Sequence, residues 1–376
     1  MHRFVLLTLA LASVHGARYS DLAVSGALEN PRQLLNLYQE FSAKENKVKT
    51  PERLSLFRST LKKIKEGNRK HPGWTLGLNK FADMTLEEKR NYLGLNTSSL
   101  HKSLMSREVV PLTSVPDSKD WRQEGKVTGV KDQGSCGSCW TFGAVGPIET
   151  NYAILTGKRK SFAEKEYLDC IYNWNRGCSG GFYEDCWDYS AKYGRLAITR
   201  DAPYYAMDQY CGSYYSKLHN GLIGAKISGY YTIPPGEDNV IYYLSKGAVG
   251  TAFEVTDEFF NYQSGVIKDT TCDDRGDTMA NHAVTAVGYT PHSMIVKNSW
   301  GSTWGMGGYF ETARGTDLCE HFWWGAVPTW DVTGHTDNDP EYVPVEEEDC
   351  QGTNADGCAC GTARCSDGMC RHPHMC

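Results

Sequence analysis

The spacing of apolar side chains divides the chain into an early helical part and a later part with short strands. Apolar residues recur every three or four positions between residues 34 and 64, which predicts amphipathic helices. Residues Cys139 to about Leu155 predict another helix, with Ser138 as its N-cap and Pro147 inside it. The early pattern comprises Leu34, Leu35, Tyr38, Phe41, Leu54, Phe57, Leu61 and Ile64. The predicted strands include 224–233, 282–289 and 293–297.

The first residues have the order that is typical of a secretory signal peptide. His2 and Arg3 precede an apolar run from Phe4 to Val14, and the small residue Gly16 follows it. The run is too short for a transmembrane helix, and no later stretch approaches twenty apolar residues. We therefore expect a signal peptide over residues 1–16, and the 14 cysteines fit an oxidising compartment.

Charge and cysteine content divide the rest of the chain into four zones. Residues 17–114 carry 17 basic and 10 acidic side chains and no cysteine, whereas residues 115–335 hold eight cysteines. Residues 336–349 are acidic and poor in apolar side chains, which predicts a linker. Residues 350–376 hold the other six cysteines, and a module this small needs disulfides because it cannot bury a core. The mixed net charge of −6 gives no indication of nucleic-acid binding.

A cysteine at the start of a predicted helix is the main candidate nucleophile. Cys139 ends the sequence Gln133-Gly-Ser-Cys136-Gly-Ser-Cys139. Thiolate is the nucleophilic form of cysteine, and a helix N-terminus or a nearby imidazolium lowers the thiol pKa. Taken alone, Cys136 and Cys139 would also fit a redox pair or half of a zinc site. No second close Cys/His pair in residues 115–335 completes a zinc site, so we expect no metal.

Two motifs downstream complete a known pattern. His282 lies 143 residues after Cys139 and begins an apolar, strand-like run. Asn298 lies 159 residues after Cys139, within Lys297-Asn-Ser-Trp300. A cysteine motif of this kind, followed by His and Asn at about these distances, is the papain-type signature.

On these motifs the chain resembles the papain family of cysteine peptidases, in its cathepsin L-like branch, over roughly residues 30–330. The resemblance implies an α+β fold of two domains, one helical and one a small antiparallel β-barrel, with the cleft between them. It implies catalytic roles for four residues, and a fifth residue whose ring shields the site. These are the nucleophile Cys139, the general base and acid His282, Asn298 that orients the imidazole, the oxyanion-hole side chain Gln133, and Trp300.

The resemblance also implies a substrate-binding edge and a pocket for P2, the second substrate residue before the cut. The edge is Gly180 and Gly181, where the Gly181 backbone would pair with an extended substrate. Trp324 stands where the pocket floor usually lies, which predicts a narrow pocket unless its ring turns away. The facing residues are Phe182, Tyr183, Ala252 and Ala280. Asn281 stands before His282, where many relatives carry Asp.

The implied disulfides are Cys136–Cys178, Cys170–Cys211 and Cys272–Cys319. These pairs leave Cys139 free and Cys186 unpaired, and we interpret Cys186 as a small buried core residue. The pairing among the six C-terminal cysteines stays open, because six cysteines allow fifteen pairings.

Residues 17–114 resemble the inhibitory propeptide of the same family. Arg53, Phe57, Ile64 and Asn68 match a motif of its long helix, with departures at Lys49 and Thr60. Gly77, Asn79, Phe81 and Asp83 match the short motif that follows. The basic charge of this zone faces acidic peptidase residues, so opposite charges should help to hold the two together, and less strongly in acid. Asn96 begins an N-glycosylation sequon within this zone.

We therefore predict a cysteine endopeptidase that is made as a secreted zymogen and needs no cofactor. We favour endopeptidase action because no insertion blocks either end of the cleft. Its expected partners are protein or peptide substrates, its own propeptide, and a possible docking ligand of the C-terminal module, with no nucleic acid and no membrane span. Its expected location is outside the cell or in an acidic lumen such as the lysosome. The alternative is an inactive binding protein of the same fold that works through its cysteine-rich tail.

Overall fold

The computed structural model describes residues 21–96, 114–171, 177–193, 196–211, 226–268, 272, 280–316, 318–330, 363–364 and 370–371. The expected signal peptide and acidic linker lie outside the described residues. So does the six-cysteine module, except for two short paired strands at Ala363–Arg364 and Cys370–Arg371. Among the described residues, no helix is long and apolar enough to cross a membrane.

Three helices form the N-terminal unit: α1 (Asp21–Glu29), α2 (Pro31–Lys44) and α3 (Pro51–Lys70). Asn30 and Thr50 cap α2 and α3, and each helix has proline in its first turn, where no intrahelical N–H partner is needed. The apolar stripes of α2 and α3 meet in a small core around Phe41 and Phe57. The predicted stripe was wrong at Leu35, which is 46% exposed, because the buried face of α2 follows Leu34, Leu37, Tyr38 and Phe41.

A short connection links this unit to the rest of the chain. Strand β1 (Trp74–Leu76) follows α3, and helix α4 (Leu86–Arg90) begins with a capping box formed by Thr85 and Glu88. Strand β1 pairs with a strand of the large sheet, so the N-terminal unit is joined to the peptidase part by backbone hydrogen bonds.

The helical half of the peptidase part is built on α5 (Cys139–Thr156), α6 (Glu164–Cys170) and α7 (Tyr183–Tyr193). Helix α5 is buried on nearly all sides, which explains why its sequence lacks a polar face. Ser138 precedes α5, but its side chain makes no capping bond, because its hydroxyl contacts the Tyr204 hydroxyl and the Cys136 carbonyl instead. Ser138 is therefore the N-cap residue, as predicted, but its side chain does not supply a capping hydrogen bond.

The other half is a nine-stranded sheet with the order β1-β5-β8-β7-β6-β4-β9-β3, and β2 pairs with β6. Helix α8 (Glu237–Leu244) lies between β3 and β4 in sequence. Among the described strands of this sheet, every pair is antiparallel except β5 with β8, which are parallel, so the antiparallel expectation was wrong for that pair. The strands are β2 (Lys119–Asp120), β3 (Ile227–Thr232), β4 (Val249–Phe253), β5 (Tyr262–Ile267), β6 (His282–Tyr289), β7 (Ser293–Lys297), β8 (Tyr309–Ala313) and β9 (Ala326–Trp330).

The two halves meet where α5 packs on β6. Gly143 faces Ala283, and Gly146 faces Thr285 so closely that an added methyl group would overlap the threonine side chain. The contact therefore requires glycine on the helix, and it brings the start of α5 beside the start of β6. Three disulfides confirm the implied pairing, at Cys136–Cys178, Cys170–Cys211 and Cys272–Cys319. Cys139 and Cys186 are free and buried.

Candidate active site

Cys139 is the first residue of α5 and is fully buried in this structure. Burial raises the pKa of its thiol to about 11, although backbone hydrogen bonds from Ala283 and Gly94 oppose the shift. Gly94 belongs to the N-terminal unit and Ala283 follows His282. The thiol is therefore kept neutral at a point where three parts of the chain meet.

His282 begins β6 and lies between Asn298 and Trp300. Its Nε2 lies 2.8 Å from Asn298 Oδ1, and its ring centre lies 4.8 Å from that of Trp300. An amide oxygen accepts only, so a neutral His282 carries its proton on Nε2 and leaves Nδ1 as an acceptor. Within the described residues, Nδ1 has no hydrogen-bond partner. Burial lowers the pKa of His282 to about 4, against the opposing hydrogen bond to Asn298.

The pair Cys139 and His282 is therefore uncharged in this form. A thiol with a pKa of about 11 and an imidazole with a pKa of about 4 are both neutral over the whole range between these values. Burial is the main cause in both cases, because it disfavours the charged form of each group. If the N-terminal unit left the site, water would reach both groups and burial would no longer shift the two pKa values.

A buried network of charges begins at Lys297, the residue before Asn298. Lys297 donates to Thr128, which donates to Glu149, and Lys131 joins Glu149 to Glu164 at 2.7 Å on each side. Burial opposes the ionisation of Glu149, but Lys131 and Lys297 outweigh it and hold its pKa below the ordinary value. Burial raises the pKa of Glu164 to about 7. A small cavity lies among these groups, and Asn298 and Ser299 form part of its lining.

Gln133 lies beside Cys139 and is fully buried. Its Oε1 accepts from the Ser299 hydroxyl at 2.6 Å, which fixes its Nε2 as the donor facing the site. That Nε2 donates to the carbonyls of Cys136 at 2.8 Å and Tyr92 at 3.0 Å. The Tyr92 carbonyl of the N-terminal unit thus accepts a hydrogen bond from Gln133 Nε2, the group expected to bind the substrate oxyanion.

The segment after α4 runs through the cleft. Leu95 forms a parallel bridge with Gly181, because Gly181 donates to the Gly94 carbonyl and Asn96 donates to the Gly181 carbonyl, both at 2.9 Å. The Leu95 N–H also donates to the Asn281 carbonyl at 3.1 Å. Gly180 has a φ of +117°, in the range that favours glycine, and packs against the Gly94 carbonyl. The predicted substrate-binding edge is therefore covered by the chain itself.

The residues expected to form the P2 pocket lie in the buried core of the helical half. The Trp324 ring lies edge-on to Phe182 at 6.4 Å and is 5% exposed, and the Tyr183 hydroxyl donates to the Trp324 carbonyl. Ala252 and Ala280 belong to the same cluster, and Leu95 packs against it. Trp324 therefore packs in the same buried core as the residues expected to face it, and the P2 pocket itself stays a prediction.

Asn281 does not direct its side chain at Cys139 and His282. Its Oδ1 accepts from the Val255 N–H at 2.9 Å, and its Nδ2 donates to the Val255 carbonyl at 3.2 Å. Its backbone carbonyl, by contrast, binds Leu95. The residue contributes to the cleft through its main chain.

Opposite charges join the N-terminal unit to the peptidase part, as the charge distribution predicts. Asp257 accepts from Lys89 at 3.0 Å and from Lys63. Burial opposes the ionisation of Asp257, but the two lysines outweigh it and lower its pKa. His71 Nε2 lies 3.1 Å from Glu258, and Lys80 binds Asp132 through both carboxylate oxygens at 2.6 and 2.8 Å.

The comparisons with known proteins agree with this geometry. The profile described as "Papain family cysteine protease" matches residues 115–322. The chain is 34% identical to papain of Carica papaya over 328 residues, which covers 84% of this chain and 92% of papain.

The chain belongs to the papain family of cysteine proteases.

The profile described as "Cathepsin propeptide inhibitor domain (I29)" matches residues 38–88, so this papain-family protease is a zymogen with an inhibitory propeptide. The chain is also 39% identical to pro-cathepsin H of Bos taurus, over 71% of this chain and 80% of that protein. Digestive procathepsin L2 from Tenebrio molitor larval midgut has a similar structure, with a TM-score of 0.71, 31% identity, and coverage of 79% of this chain and 99% of that one.

Sequence reasoning missed the propeptide residues that enter the cleft. Tyr92, Gly94 and Leu95 lie outside the two motifs that the sequence offered, and their roles depend on contacts with distant residues such as Gly137 and Gly181. The glycine between two leucines at 93–95 was the one local signal, because glycine permits a close backbone approach.

Proposed function

We propose that this papain-family zymogen becomes an endopeptidase in which Cys139 is the nucleophile and His282 the general base and acid. The observation that carries this proposal is the assembly at the start of α5. There Cys139 meets the start of β6, His282 is held by Asn298 at 2.8 Å, and Gln133 faces the same point.

The reaction follows from these positions once the propeptide leaves. Nδ1 of His282 accepts the thiol proton, and the Cys139 sulfur attacks the peptide carbonyl carbon. The carbonyl electrons move to its oxygen, which takes the position now held by the Tyr92 carbonyl at Gln133 Nε2, with the Cys139 N–H as a second donor. The imidazolium then gives its proton to the leaving amine. Water, activated by the same histidine, releases the acyl group and restores the thiol.

Trp300 protects the link between His282 and Asn298. Its ring lies at 36° to the imidazole and also stacks on Phe260 at 5.1 Å. A buried hydrogen bond is electrostatically stronger than one in water, so this cover favours one orientation of His282. We propose that Asn298 and Trp300 are positioning residues.

We propose that Gly180 and Gly181 bind the substrate backbone and that the Trp324 cluster binds the P2 side chain. The propeptide supports both assignments, since its backbone pairs with Gly181 and Leu95 contacts the cluster. A tryptophan in this position leaves less volume than a small residue would. We therefore expect P2 Val, Ala or Pro to be preferred over P2 Phe.

The remaining expectations extend this function to the whole chain. We propose a signal peptide over 1–16, a propeptide over 17–114, a peptidase domain over 115–335, a linker over 336–349 and a disulfide-bonded module over 350–376. The C-terminal module would dock or anchor the enzyme. Secretion or delivery to a lysosome-like lumen fits the relatives, which include cathepsins, and Asn96 is the expected glycosylation site.

The direct test uses the two free thiols of the described chain, Cys139 and Cys186. Cys139→Ser should lose at least a thousandfold in kcat/KM, because a hydroxyl does not form an anion at the working pH. Cys186→Ser is the matched control, since this thiol is equally buried but lies in the core of the helical domain, and we expect it to retain cleavage. Activity of Cys139→Ser within tenfold of the unmodified enzyme would refute the mechanism.

A further inference from the structure

Asp132 lies at the edge of the cleft, and in sequence it stands between Lys131 and Gln133, whose side chains bind other groups. Gln133 follows it and serves as the expected oxyanion donor, and Lys131 precedes it. Asp132 Oδ1 accepts from the Gly134 N–H at 2.9 Å, and its backbone bridges to Trp300. These contacts fix the position of the carboxylate, which remains 46% exposed even with the propeptide bound.

The partner of Asp132 in the zymogen is a lysine of the propeptide. Lys80 Nζ binds both carboxylate oxygens, at 2.6 and 2.8 Å, and its side chain is only 15% exposed. The ammonium also lies 5.0 Å from the Tyr92 ring centre and 5.4 Å from that of Phe81. Lys80, Tyr92 and Phe81 all belong to the propeptide, so activation removes the bound ammonium and the aromatic rings around it, while the Gly134 N–H contact remains.

The neighbouring cation does not neutralise Asp132. Lys131 directs its ammonium to Glu149 and Glu164, at 2.7 Å each, and to the Phe162 carbonyl. After activation, Asp132 is therefore a fixed negative charge beside the cleft.

The path of the propeptide indicates which side of the scissile bond Asp132 serves. Leu95 and Asn96 lie at Gly181, where the substrate residues before the cut are expected to pair. Gly94 contacts Cys139, and two residues earlier in the chain the Tyr92 carbonyl accepts from Gln133. Asp132 is next to Gln133 and so lies on the primed side, which receives the residues after the cut.

We propose that Asp132 forms a primed-side subsite for a basic substrate side chain, which Lys80 occupies in the zymogen. This inference rests on the proposed function. A lysine at one of the positions P1′ to P3′ would reach the same carboxylate that now binds Lys80. Exposed ion pairs are weak, so a preference of about threefold to fivefold over an uncharged residue is expected, equivalent to about 0.6–1 kcal/mol.

The test uses acid-processed enzyme and internally quenched peptides that differ only at P1′, P2′ or P3′. Each position carries Lys, Gln or Glu, and kcat/KM is measured at pH 6 in low salt. At one position or more, Lys should exceed Gln by about threefold to fivefold, with Glu below Gln. The Lys-to-Gln ratio should decrease in 0.5 M NaCl, because added salt screens exposed charges.

Asp132→Asn should bring that ratio to below about 1.5, and Asn can still accept from the Gly134 N–H through its side-chain oxygen. The matched control is Asp257→Asn. Asp257 also loses propeptide lysines on activation but lies in the contact with α3 and α4, so the ratio should persist. A ratio below 1.5 at all three positions in the unmodified enzyme, or one that survives Asp132→Asn, would overturn the subsite. Absence of cleavage of any peptide would instead contradict the proposed function.

Discussion

Replacing Gly94 with alanine should open the cleft of the zymogen. A methyl group built on Gly94 overlaps the Gly137 carbonyl and lies 2.7 Å from the Gly137 Cα, and neither backbone atom can move away easily. The segment must therefore leave its place, which breaks four hydrogen bonds between the propeptide and the cleft. At about 1 kcal/mol each, their loss sums to about 4 kcal/mol, or about a thousandfold in the population of the open state.

The assay is alkylation of Cys139 by iodoacetamide at pH 7 in the full-length zymogen, followed by peptide mass mapping. A thiol with a pKa of about 11 should react about 300-fold more slowly than a free thiol with a pKa near 8.5, because only the thiolate reacts. Gly94→Ala should raise the rate at least thirtyfold.

Gly26→Ala is the matched control for this experiment. Its added methyl group meets only the flexible end of Gln33 within the propeptide, so the rate should not change. The reasoning fails if Gly94→Ala zymogen, folded by thermal unfolding criteria, is alkylated at the unmodified rate.

Three further outcomes follow. The hydrogen bond from Arg53 is the main cause that lowers the pKa of Glu88 to about 2, so this carboxylate stabilises the propeptide above about pH 4.5 and loses that effect between about pH 4.5 and 2. Because Glu88 is 38% exposed, we expect its carboxylate to stabilise the propeptide by only about 1–2 kcal/mol. In a gel-based time course, propeptide removal from Glu88→Gln should begin at a pH about one unit higher than in the unmodified zymogen, and an unchanged pH of onset would contradict this. Trp324→Ala should raise kcat/KM at least tenfold for P2 Phe substrates and much less for P2 Val, whereas a P2 Phe or Leu preference in the unmodified enzyme would rule out the narrow pocket. Ser98→Ala should remove a glycan mass from the zymogen while Thr97→Ala retains it, and a zymogen mass that glycosidase treatment leaves unchanged would show that Asn96 is not modified.

Features that depend on neighbouring residues in sequence could be predicted. The strands 282–289 and 293–297 have the predicted bounds, because their apolar runs are bordered by turn residues. The helix that begins at Cys139 and ends at Thr156 was placed within one residue of its observed end. The disulfide pairs came correctly from the resemblance to the family.

Features that depend on distant contacts could not be predicted. Leu35 and Leu37 lie on opposite sides of α2, and the buried side is the one that faces the core shared with α1 and α3, which includes Leu37. The parallel pairing of β5 with β8 follows from the path of the chain between them rather than from either sequence. The pair of Lys80 with Asp132 joins residues 52 apart, and nothing local to either residue indicates it.

The most direct test of the account is active-site labelling by an epoxide inhibitor before and after acid processing. The account predicts that the intact zymogen takes up almost no label at neutral pH, because the thiol is neutral and Gly94 covers it. After the propeptide is released, one label per chain should appear on Cys139 and none on Cys186, with loss of peptidase activity in proportion to labelling. Rapid labelling of the intact zymogen, or inactivation without modification of Cys139, would contradict the account.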